Sequence, residues 1–427
     1  MDSGAQKEDE VFDGGPVNPN DDLPLSSATA GSLKPTVNSS QPQPPPSVAD
    51  DDVVRSEVTS KSPQQRRSAS PHVDNLHGAA GAPSSIWIPT TTSSVDAAKL
   101  EAMLADAVPE MRENIRVLKR DSGDVAMDAE CCGALRDMLR MIQSAWEMPA
   151  IGCEFYWNVC RVLRTDGGLD ALLRNCDVDA DLPRELRLGS AQVLAESMTV
   201  GNRDYVACGG GLEVVVRLAM CARDDPALSL AVIGILESLF KHSQATCATL
   251  IRRGGLDSVL YSCRTTDVPR LRRCAVALAN LAIYGGADNQ QEMIEHRAPE
   301  WLFPLAFSDD DSTRYYALLA IAALSANTTL EAAVVRSGTL FLVEPFVRSH
   351  DPTEFARSDR VHVSGISPDW LRRLVPLLLS RRDEAQSLAA FHFAMEAGIR
   401  AEQGKLEVGL RILSTKCGVF FEDGCMR

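Results

Sequence analysis

Few side chains in this 427-residue sequence stand in patterns that carry a reaction. The phosphate-cradling and nucleophile-elbow patterns G-x-x-x-x-G-K-[ST], G-x-S-x-G and a strand-following G-x-G-x-x-G do not occur. The triplet Gly209-Gly210-Gly211 reads as a helix–helix turn that needs a permissive backbone, not as a phosphate cradle. Cys131 and Cys132 are adjacent, and Cys153 and Cys160 sit seven apart, so neither pair has the C-x-x-C spacing suited to zinc. The His residues are scattered with no i, i+4 pair, and His242 reads as a satisfied structural side chain. The residues therefore predict neither a catalytic centre nor a metal site.

Charge and composition exclude further classes. Acids outnumber bases 58 to 43, a net −15, which argues against a protein that binds nucleic acid by neutralising phosphates. Hydrophobic residues make up 45% and aromatics only 5%, a balance that suits helices packed with Ala and Leu. No apolar run reaches the ~18 residues that span a bilayer, Tyr315 to Ala326 being the best. The opening MDSGAQKEDE has neither an apolar stretch nor the Arg-rich character of a transit peptide. Twelve cysteines without a secretory signal predict reduced thiols and a cytoplasmic protein.

The elements that would position any site begin near residue 96. Residues 1–95 hold 12 of the 23 prolines, including QPQPPPS, and 12 acids against 6 bases, so a disordered tail is expected there. From Asp96 the pattern turns amphipathic, with a helix expected to break near Pro109. A Gly-Gly-Leu step then recurs, with Leu169, Leu212 and Leu256 spaced 43 and 44 residues apart. Gly338 follows Gly255 by 83 residues, two periods, with APEWLFPL as the intermediate copy. Helical periods of about 40 to 47 residues mark armadillo or HEAT units. Asp225-Pro226, Asp267 with Pro269, and Asp311-Ser312 are expected to open the long helices. These helices are apolar nearly all round and so should lie between units. The expectation is an all-α, right-handed armadillo/HEAT-type solenoid over 96–405, with a concave face, then an irregular tail over 406–427.

The repeats carry longer strings: FKHSQATC at 240–247, LIRRGGLDSVLYSCRTTD at 250–267, RAPEWLFPLAFS at 297–308, SGTLFLVEPFV at 337–347, LRRLVPLL at 371–378 and EAQSLAAFHFAMEAGIRAEQGK at 384–405. Together they resemble the armadillo region of the SARM family, the sterile-alpha-and-TIR-motif NAD+ hydrolases, over roughly Asp96 to Lys405. The resemblance implies an autoinhibitory region that holds TIR domains inactive while NAD+ fills an allosteric pocket. Nicotinamide mononucleotide competes there and releases the lock. It also implies TIR and SAM domains as partners, TIR-containing immune adaptors as further ones, and roles in axon degeneration and Toll-like receptor signalling. The family is cytoplasmic, neuronal and mitochondria-associated. Because the match lapses after Lys405 and the catalytic Glu belongs to the TIR domain, no hydrolase activity is expected of this chain. Without SAM modules it should be a monomer.

Carried over by position, the resemblance assigns Trp146 to stack on the nicotinamide, Glu196 to the ribose hydroxyls, and Arg203 and Lys241 to phosphate. The residue types suit those tasks: a flat π-face, an acceptor, and a guanidinium with an ammonium. Two positions depart from the family pattern. Cys153, at i+7 from Trp146, stands where mammalian members carry Arg, and Ser238 stands where His is usual. The pocket-closing loop would be Ser358 to Pro368, with Arg360, His362 and Gly365. Read without the resemblance, Trp146 is a packing residue, Glu196 a surface charge, and Arg203 and Lys241 cations at helix C-termini. Asn280 is similar to the Asn that clasps peptide backbones in armadillo scaffolds, which leaves a peptide-binding scaffold as the rival reading.

Overall fold

Three helices make each repeat, and the sequence shows why each starts where it does. The computed structural model describes residues 94–120, 125–148, 151–336, 338–358, 368–402, 421–422 and 425–426. Two helices come first, α1 (Ser94–Leu118) and α2 (Val125–Ser144). Three full units follow one another: α3 (Gly152–Thr165), α4 (Gly168–Cys176) and α5 (Arg184–Glu196), then α6 (Val200–Cys208), α7 (Gly211–Cys221) and α8 (Pro226–Leu239), then α9 (Gln244–Arg252), α10 (Gly255–Ser262) and α11 (Val268–Tyr284). Next come α12 (Gly286–Glu295), α13 (Ala298–Ala306) and α14 (Asp311–Ser325). The series ends with α15 (Glu331–Val335), α16 (Val343–Ser349), α17 (Pro352–Ser358), α18 (Pro368–Leu378) and α19 (Asp383–Glu402).

The long helices form a ladder: α2 packs on α5, α5 on α8, α8 on α11, α11 on α14 and α14 on α19. Every residue of α11 from Cys274 to Tyr284 is buried, as is every residue of α14 from Tyr315 to Ser325. Their all-round apolar character thus serves a helix with neighbours on every side, and each fully buried Leu contributes about 1.5–3 kcal/mol. This is the armadillo/HEAT-type α-solenoid that the period predicts.

One backbone feature repeats with the units. The residue before α4, α7 and α10 is Gly167, Gly210 or Gly254, with φ of 73°, 82° and 91°. Glycine takes this left-handed conformation without the steric cost of a Cβ. The unit of α13 keeps the same turn with Arg297 at φ 61°, so the conformation outlives the glycine.

Asp225 and Asp267 cap α8 and α11, accepting from the amides of Leu228 and Arg270 at 3.1 and 3.2 Å. Helix α14 starts at Asp311 as expected, but the residue before it does the capping. Its cap is Asp310, which accepts from Thr313 N at 2.9 Å and from Arg272 of α11 at 2.5 Å. Helix α1 also departs from expectation, since it runs unbroken through Pro109. Proline removes one amide donor, and buried Met111 and Ile115 hold the following turns in place.

At the far end, Trp370 Nε1 donates to His392 Nε2 at 2.9 Å, and His392 Nδ1 lies 2.5 Å from Tyr315 Oη, which ties α18 and α19 to α14. Phe421–Glu422 and Cys425–Met426 pair antiparallel within the stretch expected to be irregular. The Pro- and Asp-rich residues 1–93 and most of the expected closing loop, 359–367, lie outside the described residues. No single helix among the described residues is long and apolar enough to cross a membrane.

Candidate functional site

Three of the ladder helices carry expected residues at or just past their C-terminal ends. Trp146 lies in a 3-10 turn, Ala145–Glu147, directly after α2. Glu196 is the last residue of α5. Ser238 is in the last turn of α8, and Lys241 lies just past that helix in the turn that follows. Successive helix C-termini bring partial negative charge together, which favours cations there. Arg203 is not at a helix C-terminus, as read from sequence, but near the start of α6, capped by Thr199. Cys153, seven residues after Trp146, does not share a helix with it, because the chain leaves the helix after Glu147 and α3 starts at Gly152.

Three residues that sequence reasoning missed join these into one network. Tyr156 of α3 packs its ring 4.8 Å from that of Trp146, and its hydroxyl donates to the backbone carbonyl of Glu196 at 3.0 Å. Arg273, from α11, reaches across α8 and donates to the Glu196 carboxylate at 2.8 Å. Its other Nη lies 3.4 Å from Glu237, and Glu237 lies 3.7 Å from Lys241 Nζ. Arg203 donates to the carbonyl of Ser238 at 3.4 Å. Glycine at 234 makes the crossing possible, since a Cβ there would stand 2.8 Å from Arg273 Nη1. Cys153 lies three residues before Tyr156 on α3, half-buried. Signals for the missed residues were present: Glu237 precedes Lys241 at i, i+4, and Arg273 opens an otherwise apolar run.

The electrostatics follow from partial burial. Burial pulls the Lys241 ammonium below its ordinary value; Glu237 opposes this, while Arg203 and Arg273 add to it. Burial also works against the Arg273 charge, but Glu237 and Glu196 outweigh it and hold the guanidinium above its usual range. Burial and the adjacent Cys160 push the Tyr156 phenol well up, so it remains a donor. Arg203, Arg273 and Lys241 against Glu196 and Glu237 leave one positive charge in excess. An arrangement of that kind accepts one further anion beside an aromatic pair.

His242 is satisfied locally, with Asp204 at 3.0 Å and Thr246 at 2.6 Å. Asn280 is fully buried and donates to the carbonyl of Glu237 at 2.9 Å, so it ties α11 to α8 and does not face a peptide. No three or more His, Cys, Asp or Glu side chains gather as a metal site among the described residues.

No family model matches the chain. Its sequence is 51% identical over 276 residues to NAD(+) hydrolase sarm1 of Drosophila melanogaster, covering 64% of this chain and 20% of that protein. It is 41% identical over 315 residues to NAD(+) hydrolase SARM1 of Danio rerio, covering 72% of this chain and 43% of that protein. It is 35% identical over 293 residues to NAD(+) hydrolase tir-1 of Caenorhabditis elegans, covering 65% and 28%. The chain is a relative of the SARM-type NAD(+) hydrolases. It spans between a fifth and under half of the length of these curated SARM-type relatives. Among solved structures it is similar to a designed armadillo repeat protein, at 18% identity and TM-score 0.46, over 67% of this chain and 99% of that one. A second, a computationally designed armadillo repeat protein for modular peptide recognition, matches at 17% identity and TM-score 0.47, over 66% and 99%.

Proposed function

We propose that residues 96–405 are the nucleotide-sensing, autoinhibitory armadillo domain of a SARM-type NAD+ hydrolase, with catalysis supplied by a TIR domain and not by the residues described here. The observation that supports this reading is the meeting of Trp146, Tyr156, Glu196, Arg203, Arg273 and Lys241 in one network with one positive charge in excess. NAD+ or nicotinamide mononucleotide is the allosteric ligand. Its base lies against Trp146, its ribose hydroxyls donate to Glu196, and its phosphate takes Arg203 and Lys241. Ser238 and Cys153 stand at the rim in place of stronger phosphate partners. The partners are TIR and SAM domains of the same family, the protein is cytoplasmic, and this chain alone is a monomer.

Calorimetric titration of the purified chain with nicotinamide mononucleotide and NAD+ tests the proposal. Saturable binding that weakens about tenfold or more in Lys241→Ala, at an unchanged melting temperature, supports it. Absence of binding to the wild type at millimolar ligand refutes nucleotide sensing by this chain.

A further inference from the structure

A groove with a different composition lies between α10, α13 and the turns that follow α7, α10 and α12, and shares no residue with the ladder network. It has a volume of about 260 Å³ and is lined by Arg223, Asp257, Leu260, Tyr261, Arg264, His296 and Trp301. Two guanidiniums converge on one ring there. Arg223 lies 4.8 Å and Arg264 5.1 Å from the Tyr261 centroid, and Arg264 also lies 5.3 Å from that of Trp301.

The carboxylate lining the groove makes no ion pair with either of them. Asp257 is held by His296 Nδ1 at 2.7 Å, and neither Arg223 nor Arg264 has a carboxylate partner among the described residues. Some exposed arginines of this acidic chain do pair, as Arg112 does with Asp166, Arg184 with Asp225 and Arg217 with Asp179. Two guanidiniums against one carboxylate give the groove a positive excess in a chain of net −15, which favours an anion there.

The chemistry of that anion follows from how the arginines are held. A guanidinium resting on an aromatic ring keeps its N–H edge free, and that edge matches two oxygens of one oxyanion. Two such edges suit the doubly charged phosphoryl group better than a single carboxylate. The half-buried rings of Tyr261 and Trp301 give the group that carries the phosphate an apolar wall.

We infer that this groove is a binding site for a phosphomonoester, with the phosphoryl group between Arg223 and Arg264 and its carrier against Tyr261 and Trp301. Phenyl phosphate and inorganic phosphate serve as probes, titrated by calorimetry into the wild type, Arg223→Ala, Arg264→Ala and Lys241→Ala at one ionic strength. Phenyl phosphate is expected to bind more tightly than inorganic phosphate. Each arginine variant should weaken it at least tenfold with an unchanged melting temperature. Weakening by Lys241→Ala alone would assign the phosphate to the ladder network and overturn the inference. So would wild-type affinity in both arginine variants, or no saturable binding to the wild type at millimolar phenyl phosphate.

Discussion

Glu237 Oε1 lies 3.7 Å from Lys241 Nζ, one helical turn away, so the protein holds an anion of its own beside the cation proposed to take phosphate. The same carboxylate reaches Arg273, and Glu237 is nearly buried. A phosphate arriving at Lys241 therefore competes with Glu237. Glu237→Gln should tighten nicotinamide mononucleotide binding about tenfold, near 1.4 kcal/mol. It should also lower stability by about 1–3 kcal/mol, because two partly buried cations lose a charged partner. Calorimetry and thermal melting on one preparation would show the two quantities moving in opposite senses. Weaker binding would mean that Glu237 positions the ligand and does not oppose it.

Lys241 sets the pH response. Its folded-state pKa is depressed, chiefly by burial, so the native protein gives up this proton at lower pH than a free lysine does. Ligand affinity should be full below the depressed value and fall as pH rises through it, before the ordinary 10.5. Stability should run the other way, rising over the same window, because the folded state favours the neutral amine. Lys241→Arg should flatten both profiles, since a guanidinium keeps its charge throughout. Affinity measured between pH 7 and 10 in the two proteins is the check.

Cys153 and Ser238 define a third expectation. Cys153 is on the helix that carries Tyr156, and Ser238 is in the last turn of α8 with its carbonyl on Arg203. Replacing them together, Cys153→Arg with Ser238→His, adds a guanidinium and an imidazole beside the network. Nucleotide affinity should rise about tenfold or more, with a steeper dependence on salt. Equal affinity in the double variant and the wild type would place the ligand elsewhere.

The positive φ of Arg297 gives a prediction independent of any ligand. Arg297→Gly should stabilise the chain by about 0.5–1 kcal/mol by relieving the left-handed strain, less whatever its exposed pair with Glu300 contributes. Arg297→Ala keeps the strain and loses the pair, so it should be neutral or slightly destabilising. Urea unfolding of the two variants should separate them in sign.

Much of the fold was legible because it repeats. The spacing of Leu169, Leu212 and Leu256 fixed the period, and the apolar α11 and α14 sequences announced helices buried on every side. Boundaries were less legible. Pro109 sits inside a continuous helix, and Asp310 outcompetes Asp311 as a cap because only Asp310 also meets Arg272. At the site, the residues taken by position, Trp146, Glu196, Arg203 and Lys241, do gather. Tyr156 stayed hidden and Arg273 showed only as a charge opening an apolar run, because their partners lie 40 and 77 residues away in sequence.

Asp225 supplies an acid-side test. The two hydrogen bonds that it accepts from Arg184, at 2.5 and 2.7 Å, hold its carboxyl below the ordinary range while it caps α8. The stabilisation is complete above the unfolded value near 4 and is lost as pH falls through the depressed one. Asp225→Asn should cost up to about 1 kcal/mol at pH 7, because an Asn still caps the helix but an exposed pair is lost. That cost should vanish at about pH 2, as melting temperatures at the two pH values would show.

The reach of Arg273 over Gly234 to Glu196 has a mechanical meaning. Repeat arrays bend and twist by small rotations summed unit by unit, each unit touching only its neighbours. Arg273 breaks that rule of nearest neighbours, because its guanidinium grips the end of α5, two ladder rungs away. The α5–α8–α11 stretch is therefore braced like a truss, while bending is left to the spans on either side. Any ligand or substitution that loosens this one strut changes the stiffness of the spine at its middle, and through it the curvature that the two ends feel.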